Sequence, residues 1–397
     1  MIMEENTIVR YEPYYGEWIT MDEKGCIFSV EFEPDFNPND YPYIIRVDNS
    51  EMPVPEKACT VPIIVQILST RRCSYRCPHC PVVTREDSAK EMSTKEIFDF
   101  LDYCASIGVL CVRFSGGEST LRIDFPDIVK YAKKLGLKCA LLSNCKQCSE
   151  ELLGTLSEMC YVQTHLDSVN ETMFNKMTGG DNFETFCNNI KKIREKGIHI
   201  NAAATLQRDN LNDFKDIIDF CASYDLVLKI NTIYSDADGK FKENEWLDYY
   251  QNIITPFKKM WPDLKEYAKK VGCTVFAFCE IDEVAPSVDD PISVISPWGR
   301  TYIVIDSKGD VYPFPLIIKD DFKVGTIRNG EDLLDIWRNS SLLNKLRSFN
   351  KEVLGCGSCR MDCVYCNLFF SYSYMGEFGK VLPNNDCPYG KHQLSDL

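Results

Sequence analysis

The middle of the chain, from residue 61 to residue 235, alternates between short apolar runs and longer amphipathic stretches. The apolar runs are rich in β-branched residues and have the length of buried strands, whereas the amphipathic stretches have helical spacing. Ser93 and Glu96 form a capping-box pattern at the start of the first helix, which we predict over 93–107. We predict strands at 62–68, 109–114, 137–142, 161–166, 198–206 and 226–233. This order predicts an α/β fold with a parallel sheet covered by helices.

The amino-terminal flank, residues 1–60, has a different pattern. Aromatic and β-branched residues predict strands at 10–20, 26–32 and 43–47, and no helical period is visible. We interpret this β-rich extension either as a cap packed on the central region or as a docking surface for a peptide.

The carboxyl-terminal flank divides into two parts. Residues 236–290 are polar and predict a helical bridge with helices at 244–253 and 263–271. Residues 291–397 predict a further domain, which begins with a hairpin at 301–306 and 311–314 around a turn at Gly309. A helix at 331–349 and a group of cysteines follow the hairpin.

Charge and hydropathy limit the partners of the chain. Its 397 residues include 44 basic and 59 acidic side chains, which gives a net charge of -15. Such a surface repels phosphate backbones, so we expect no nucleic-acid partner. No run of 18 apolar residues occurs and residues 1–10 lack the features of a signal peptide, so we expect no membrane partner and a cytoplasmic location.

The 20 cysteines fall into two kinds. Clustering at metal-like spacings in a long chain favours reduced thiols over disulfides. The cysteines that stand singly in apolar segments are expected to be small core residues; these are Cys104, Cys111, Cys160, Cys187, Cys221, Cys273 and Cys279. For Cys273 and Cys279 the alternative is a ligand of a carboxyl-terminal metal site.

Three of the clustered cysteines, Cys73, Cys77 and Cys80, lie in one short loop after the first predicted strand. A closed zinc site would need a fourth Cys or His ligand. An open four-iron four-sulfur cluster would use three thiolates and leave one iron for a substrate. A zinc knuckle and three buried thiols remain the structural alternatives at this point.

A Gly-Gly-Glu turn decides between these alternatives. Ser115, Gly116, Gly117 and Glu118 follow the second predicted strand, and His79 stands directly before the third cysteine of the loop. The spacing Cys-x3-Cys-x2-Cys with this turn resembles the radical S-adenosylmethionine (radical SAM) superfamily. The resemblance implies a partial (β/α)6 TIM-like barrel with its active site at the carboxyl ends of the strands.

The resemblance also implies cofactors and their ligands. Cys73, Cys77 and Cys80 would hold a four-iron four-sulfur cluster, S-adenosylmethionine would bind its free iron, and an external donor of the flavodoxin or ferredoxin type would reduce it. Cleavage of the cofactor would give a 5′-deoxyadenosyl radical that abstracts hydrogen from a substrate. Further contacts to the cofactor are expected from residues at the strand ends: Ser115, Gly116, Gly117, Glu118, Ser143, His165, Thr205, Gln207 and Asn231.

Two positions depart from the family pattern. Ser119 stands where relatives usually have Pro, which puts the path of the loop in question. Cys145 follows Ser143 and Asn144 where relatives often have Gly. We interpret Cys145 either as a hydrogen-atom donor to a product radical or as a small residue in place of that Gly.

The carboxyl-terminal cysteines resemble those of a SPASM domain, which carries auxiliary clusters in many radical SAM maturases. Their spacing lacks the ligands for two clusters, so we predict one auxiliary four-iron four-sulfur cluster, with zinc as the alternative. The candidate ligands are Cys356, Cys359, Cys363, Cys366 and Cys387. The resemblance thus implies an enzyme that modifies a peptide or protein by crosslinking, thioether formation or epimerisation. A radical SAM enzyme for a small molecule and a non-enzymatic metal-binding module are the alternatives.

Overall fold

The computed structural model describes residues 7–13, 16–22, 24, 26–31, 44–46, 58–78, 80, 91–232, 248–277, 299–315, 318 and 320–348. Its first element is a four-stranded sheet in the order β3-β2-β1-β4. The strands are β1 Val9–Glu12, β2 Glu17–Met21, β3 Ile27–Val30 and β4 Ile44–Arg46. The prediction of one strand over 10–20 was wrong, because the chain turns back between β1 and β2. Gly16 lies in this turn with a left-handed φ of 69°, which a side chain would disfavour.

The central region folds into six parallel strands that lie side by side in chain order, which confirms the predicted partial barrel. The strands are β5 Ile64–Thr70, β6 Cys111–Gly116, β7 Lys138–Ser143, β8 Tyr161–His165, β9 Ile200–Leu206 and β10 Val227–Thr232. Each predicted strand overlaps its observed counterpart. Because all six run in the same direction, their carboxyl ends meet at one edge of the sheet.

Helices follow the strands and cover the sheet. They are α1 Thr94–Ser106, α2 Phe125–Lys134, α3 Glu150–Ser157, α4 Glu171–Thr178, α5 Phe183–Glu195 and α6 Phe214–Ser223. The predicted capping box of α1 is present, since Ser93 accepts from the backbone of Glu96 and the Glu96 side chain accepts from the backbone of Ser93. Buried faces of the helices pack on the sheet and form the main core. Within the part of the chain that the structure describes, no helix is long and apolar enough to cross a membrane.

Later segments extend the same sheet at both edges. After a π-helical turn, α7 Thr255–Val271 leads to β11 Val275–Ala277, which pairs in parallel with β10. Beyond β5, the predicted hairpin is present as β12 Tyr302–Ile305 and β13 Asp310–Tyr312, and β14 Gly325–Thr326 follows it. β12 pairs in parallel with β5, so the carboxyl-terminal hairpin is continuous with the barrel.

Two helix predictions in this part need correction. Helical residues run without a break from 248 through Pro262 to the end of α7, where separate helices at 244–253 and 263–271 were predicted. Residues 244–247 of the first predicted helix lie outside the described residues. The predicted helix at 331–349 is interrupted, forming α8 Leu333–Asn339 and α9 Ser341–Ser348. Ser340 has an extended backbone with ψ 120°, which ends α8. Its hydroxyl accepts from the Leu343 backbone at 3.4 Å and so caps the start of α9.

A buried ion pair fixes the amino-terminal sheet to the barrel. Arg10 and Glu12 lie 3.0 Å apart, and neither side chain is exposed. The Arg10 guanidinium donates to the carbonyl of Gly108 at 2.9 Å, and Glu12 accepts from the hydroxyl of Thr60 at 2.8 Å. Both contacts lie just before the amino ends of β5 and β6, opposite the expected active site. This placement favours the cap interpretation of the extension.

Every cysteine that the structure describes is a free thiol, as expected for a reduced chain. Cys104, Cys111, Cys160, Cys221 and Cys273 are buried in the main core, which confirms their structural role. Cys187 is only partly buried. The prediction for Cys279 falls outside the described residues.

Candidate active site

The three-cysteine loop leaves the carboxyl end of β5. Cys73, Cys77 and Cys80 are all partly exposed, and a backbone hydrogen bond of 3.1 Å from Cys80 to Cys77 closes a tight turn. The backbone of Arg76 donates to the carbonyl of Thr178 at 2.8 Å, which ties the loop to the end of α4. The loop therefore presents three accessible thiols from a backbone held at two points.

Hydrogen-bond donors and burial act on these thiols in opposite directions. The Cys73 sulfur accepts from the Tyr75 backbone at 3.4 Å and from Nδ2 of Asn144 at 3.7 Å, and such donors stabilise a charged sulfur. Burial, with repulsion from Cys80 and Cys73, raises the pKa of Cys77 to about 12. A bound cationic iron site would offset that cost, because a coordinating thiol loses its proton to the metal.

Among the described residues, no three His, Cys, Asp or Glu side chains converge as ligands of a single metal ion. An iron–sulfur cluster does not require such convergence, because each thiolate binds a different iron. The three partly exposed thiols of the loop therefore fit the cluster that the sequence predicted. His79, which precedes the third cysteine, lies outside the described residues.

The Gly-Gly-Glu turn packs directly on the strand end that leads into the cysteine loop. The backbone of Gly117 donates to the carbonyl of Thr70, and that of Glu118 donates to Arg72, each at 2.7 Å. A Cβ on Gly117 would lie 2.1 Å from the carbonyl oxygen of Arg72. Gly116 has a φ of 129° and equally little room. The glycines therefore allow two backbones to approach closely, a role that the sequence did not distinguish from close approach to a ligand.

Ser119 fixes the path of this loop by hydrogen bonds, at the position where relatives usually have Pro. Its hydroxyl donates to the carbonyl of Ser115 at 2.8 Å and accepts from the hydroxyl of Ser69 at 2.8 Å. These two bonds link the turn to the end of β5. Proline could form neither bond.

Glu118 is a buried carboxylate at the centre of the strand ends. It accepts from the hydroxyl of Ser143 at 3.0 Å, from the backbone of Asn144 at 2.7 Å and from the hydroxyl of Thr120 at 2.8 Å. Burial raises the pKa of Glu118, and these hydrogen bonds counteract part of that effect. The predicted contact of Glu118 with the amino group of the cofactor stays a prediction. The structure does bring Glu118 and Ser143 together, as that prediction requires.

Asp167 is a second buried carboxylate, and it gathers three of the predicted residues. It accepts from the Thr205 backbone at 2.6 Å and from Nε2 of Gln207 at 3.0 Å, and it lies 2.5 Å from Nε2 of His165. Burial lowers the pKa of His165, but the charge and hydrogen bond of Asp167 outweigh burial and raise it. Asp167 was not among the site residues predicted from the sequence. Its position directly after a strand was the available signal.

Asn231 and Cys145 complete the predicted set. Asn231 pairs in register with Thr205, so both side chains lie on the same face of the sheet. Cys145 is 2% exposed in the main core and has a left-handed φ of 53°. Burial raises the pKa of its thiol to about 12. A left-handed backbone favours the interpretation of Cys145 as a residue in place of glycine.

The five carboxyl-terminal cysteines predicted to hold an auxiliary cluster lie outside the described residues. The described hairpin upstream of them contacts the site directly. Arg71, at the end of β5, forms an ion pair of 3.3 Å with Asp306 in the β12–β13 turn. Arg328, beyond β14, pairs with Glu96 of α1 at 2.8 Å.

Comparison with known proteins agrees with this geometry. The family model of the radical SAM superfamily matches residues 67–221, and that of the SPASM iron–sulfur cluster-binding domain matches residues 297–364. The chain is 29% identical over 314 residues to a PqqA peptide cyclase of Bradyrhizobium diazoefficiens, covering 75% of this chain and 79% of the cyclase. It is 24% identical over 359 residues to the mycofactocin maturase MftC of Mycolicibacterium smegmatis, covering 86% and 88% of the two chains.

Solved structures of Streptococcus suis SuiB share the fold. SuiB bound to S-adenosylmethionine superposes with a TM-score of 0.65 at 19% identity, over 83% of this chain and 78% of SuiB. SuiB bound to its precursor peptide SuiA gives a TM-score of 0.62 at 18% identity, over 77% and 71% of the two chains.

The barrel, the three-cysteine loop and the Gly-Gly-Glu turn thus define a radical SAM enzyme. The chain belongs to the radical SAM enzymes that carry a carboxyl-terminal SPASM domain. Its cofactors are S-adenosylmethionine and four-iron four-sulfur clusters. When bound, they supply a radical that abstracts hydrogen. The protein contributes the cysteine loop and the carboxylates that order the strand ends around it.

Proposed function

We propose that this enzyme modifies a ribosomally made peptide, by forming a crosslink or thioether or by epimerisation. The observation that carries the proposal is the pairing of β12 with β5, which makes the SPASM hairpin part of the sheet that ends in the cysteine loop. The relatives support a peptide substrate, since one is named a peptide cyclase and another is named a maturase. The complex of SuiB with a precursor peptide supports it further.

We propose an oxidative outcome, a crosslink or a thioether, as the preferred reaction. One auxiliary cluster held by four of the five carboxyl-terminal cysteines would accept an electron from the substrate radical. Epimerisation would instead require a hydrogen-atom donor, and the buried position of Cys145 makes it a poor one. With one auxiliary cluster, the enzyme should contain about eight irons per chain, and with two it should contain about twelve.

We also propose a cytoplasmic enzyme that receives electrons from a flavodoxin or ferredoxin. Free thiols throughout the described chain suit a reducing compartment. The net charge of -15 does not favour nucleic acid as a substrate.

The test combines co-expression with reconstitution. Short peptides encoded beside the gene are co-expressed with the enzyme and analysed by mass spectrometry, while the purified enzyme is assayed with dithionite and S-adenosylmethionine for 5′-deoxyadenosine. We expect a peptide product that has lost about two mass units, as a crosslink or thioether requires when two hydrogens leave. Release of 5′-deoxyadenosine that is stimulated by small molecules but by none of these peptides would overturn the proposal.

A further inference from the structure

One face of the barrel sheet carries a lysine that has no role in the site described above. Lys229 lies on β10, whose neighbours Leu228 and Ile230 point to the opposite face and are buried in the main core. In the sheet register, Lys229 pairs with Ala203, and Ala203 pairs with His165. Side chains of directly paired residues share a face, so Lys229 lies on the same face as His165. We call this face the lumen face.

Lys229 lies just below the predicted cofactor contacts. Asn231, two residues further along β10, shares the lumen face and pairs with Thr205. Two residues of an extended strand span about 7 Å. A group bound at Lys229 would therefore lie one layer of side chains deeper in the barrel than a cofactor at Asn231 and Thr205.

Lys229 carries a charge that no acidic side chain of the described residues neutralises. Its side chain is exposed, and no carboxylate of the described residues forms an ion pair with it. Arg113 of β6 shares the lumen face, where its guanidinium lies 5.5 Å from the ring centre of Tyr161 and 5.3 Å from that of Tyr302. Arg113 likewise pairs with no carboxylate among the residues that the structure describes. Two cations that have no acidic partner in the described part of a chain with a net charge of -15 make a local region that favours an anion.

Electrostatics supports this description of the two cations. The walls of the barrel around the exposed Lys229 side chain partly desolvate its ammonium and lower its pKa, and repulsion by Arg113 lowers that pKa further. An anion bound between the two groups would relieve that repulsion.

An apolar group stands beside the charge. Phe276 of β11 pairs in register with Lys229, and it is 57% exposed. Phe276 and Ile123 are the exposed large hydrophobic residues of the described chain. A cation next to an aromatic ring matches a ligand that has a carboxylate at the end of methylene groups, as a glutamate side chain does.

We propose that Lys229 binds a carboxylate side chain of the peptide substrate, with Phe276 contacting the methylene groups of that side chain. The proposal rests on the proposed peptide substrate and narrows it to peptides with Glu or Asp at or beside the modified residue. The lumen face then positions that side chain beneath the cofactor. Arg113 adds to the positive potential without needing to touch the ligand.

The direct test measures protection of the Lys229 amine from trace acetylation in the holoenzyme loaded with S-adenosylmethionine. The probe is N-acetyl-glutamic acid α-amide, and N-acetyl-glutamine α-amide is the neutral control. Each is used at about 20 mM, which is above the millimolar Kd expected of one charge contact. Mass spectrometry compares acetylation of Lys229 with that of Lys130, which is exposed on α2. We expect the glutamic acid probe to lower the labelling of Lys229 about three-fold or more and the glutamine probe to leave it unchanged.

Two outcomes would overturn the proposal. One is equal labelling with both probes. The other is complete protection by S-adenosylmethionine before any probe is added, which would assign Lys229 to the carboxylate of the cofactor.

Variants separate this proposal from the peptide proposal. With an acidic peptide, K229M should lower product formation at least about ten-fold, while its release of 5′-deoxyadenosine without peptide stays unchanged. K229R should form part of the wild-type amount of product. The control K130M should match the wild type. Peptide modification without probe protection would refute the carboxylate site alone. Probe protection without modification of any peptide would refute the peptide substrate alone.

Discussion

The two ends of the barrel strands handle buried charge in opposite ways. At the amino ends, Arg10 and Glu12 neutralise each other, and both are fully buried. At the carboxyl ends, Glu118 is equally enclosed, but its partners are the neutral groups of Thr120, Ser143 and Asn144. A compensated pair serves to join two layers of structure, whereas a carboxylate held only by neutral donors keeps its charge available for a ligand. The comparison predicts that mutations at the two ends separate stability from activity.

The largest effect on stability is expected at the amino end. R10M leaves the Glu12 carboxylate buried without its cation, which should lower the free energy of unfolding by about 3–5 kcal/mol. Denaturant unfolding followed by circular dichroism measures this loss. The double variant R10M/E12M should recover part of it, because no unpaired charge remains.

The same variant should leave the chemistry intact. Release of 5′-deoxyadenosine per folded R10M molecule is expected to equal that of the wild type, because the ion pair lies at the opposite end of the strands. A folded R10M enzyme that cleaves no S-adenosylmethionine would contradict the assignment of this pair to structure.

The next effect is expected at the Gly-Gly-Glu turn. G117A places a Cβ 2.1 Å from the carbonyl oxygen of Arg72, so the turn must move away from the cysteine loop. A displacement of this size should lower 5′-deoxyadenosine release at least about ten-fold. G154A is the matched control, because a Cβ at Gly154 in α3 meets no atom within 4 Å. Equal activity of G117A and G154A would show that close packing of the turn does not position the site.

The smallest effect concerns the Asp167 network. D167N removes the charge that raises the pKa of His165, so that pKa should fall. NMR titration of the His165 ring measures the change, with the ring of His199 as an internal reference. An unchanged titration of His165 would show that Asp167 does not control this histidine.

The sign of the pH dependence follows from the raised pKa. The His165–Asp167 pair stabilises the fold fully below the unfolded pKa of about 6.5, and its contribution is lost as pH rises through the higher folded value. The stability difference between the wild type and D167N should therefore be larger at pH 5 than at pH 9. A buried carboxylate with a lowered pKa would show the opposite trend, because its contribution to stability is lost as the pH falls.

The barrel could be predicted from the sequence because each strand has a recognisable local pattern. Each of the six runs is apolar and β-branched over its own length, so no distant partner is needed to recognise it. The hairpin within residues 10–20 was missed because one glycine conformation, that of Gly16, decides it. The break at Ser340 depends in the same way on one residue.

Only the part of the site that depends on local sequence patterns was predicted. Cysteine spacing and the Gly-Gly-Glu turn are local patterns, and the structure brings them together as expected. The role of Asp167 was missed because its partners Thr205 and Gln207 lie about 40 residues away, at the end of the next strand. The position of Lys229 beside Phe276 depends on the register of two strands, which alternation alone cannot give.

The loop of Cys73, Cys77 and Cys80 should hold the cluster that starts the reaction. The most direct measurement compares iron content and 5′-deoxyadenosine release of the reconstituted wild type with those of C73A/C77A/C80A, after circular dichroism shows both to be folded. We expect the variant to lose about four irons per chain and to release no 5′-deoxyadenosine. An unchanged iron content with continued release of 5′-deoxyadenosine would contradict it.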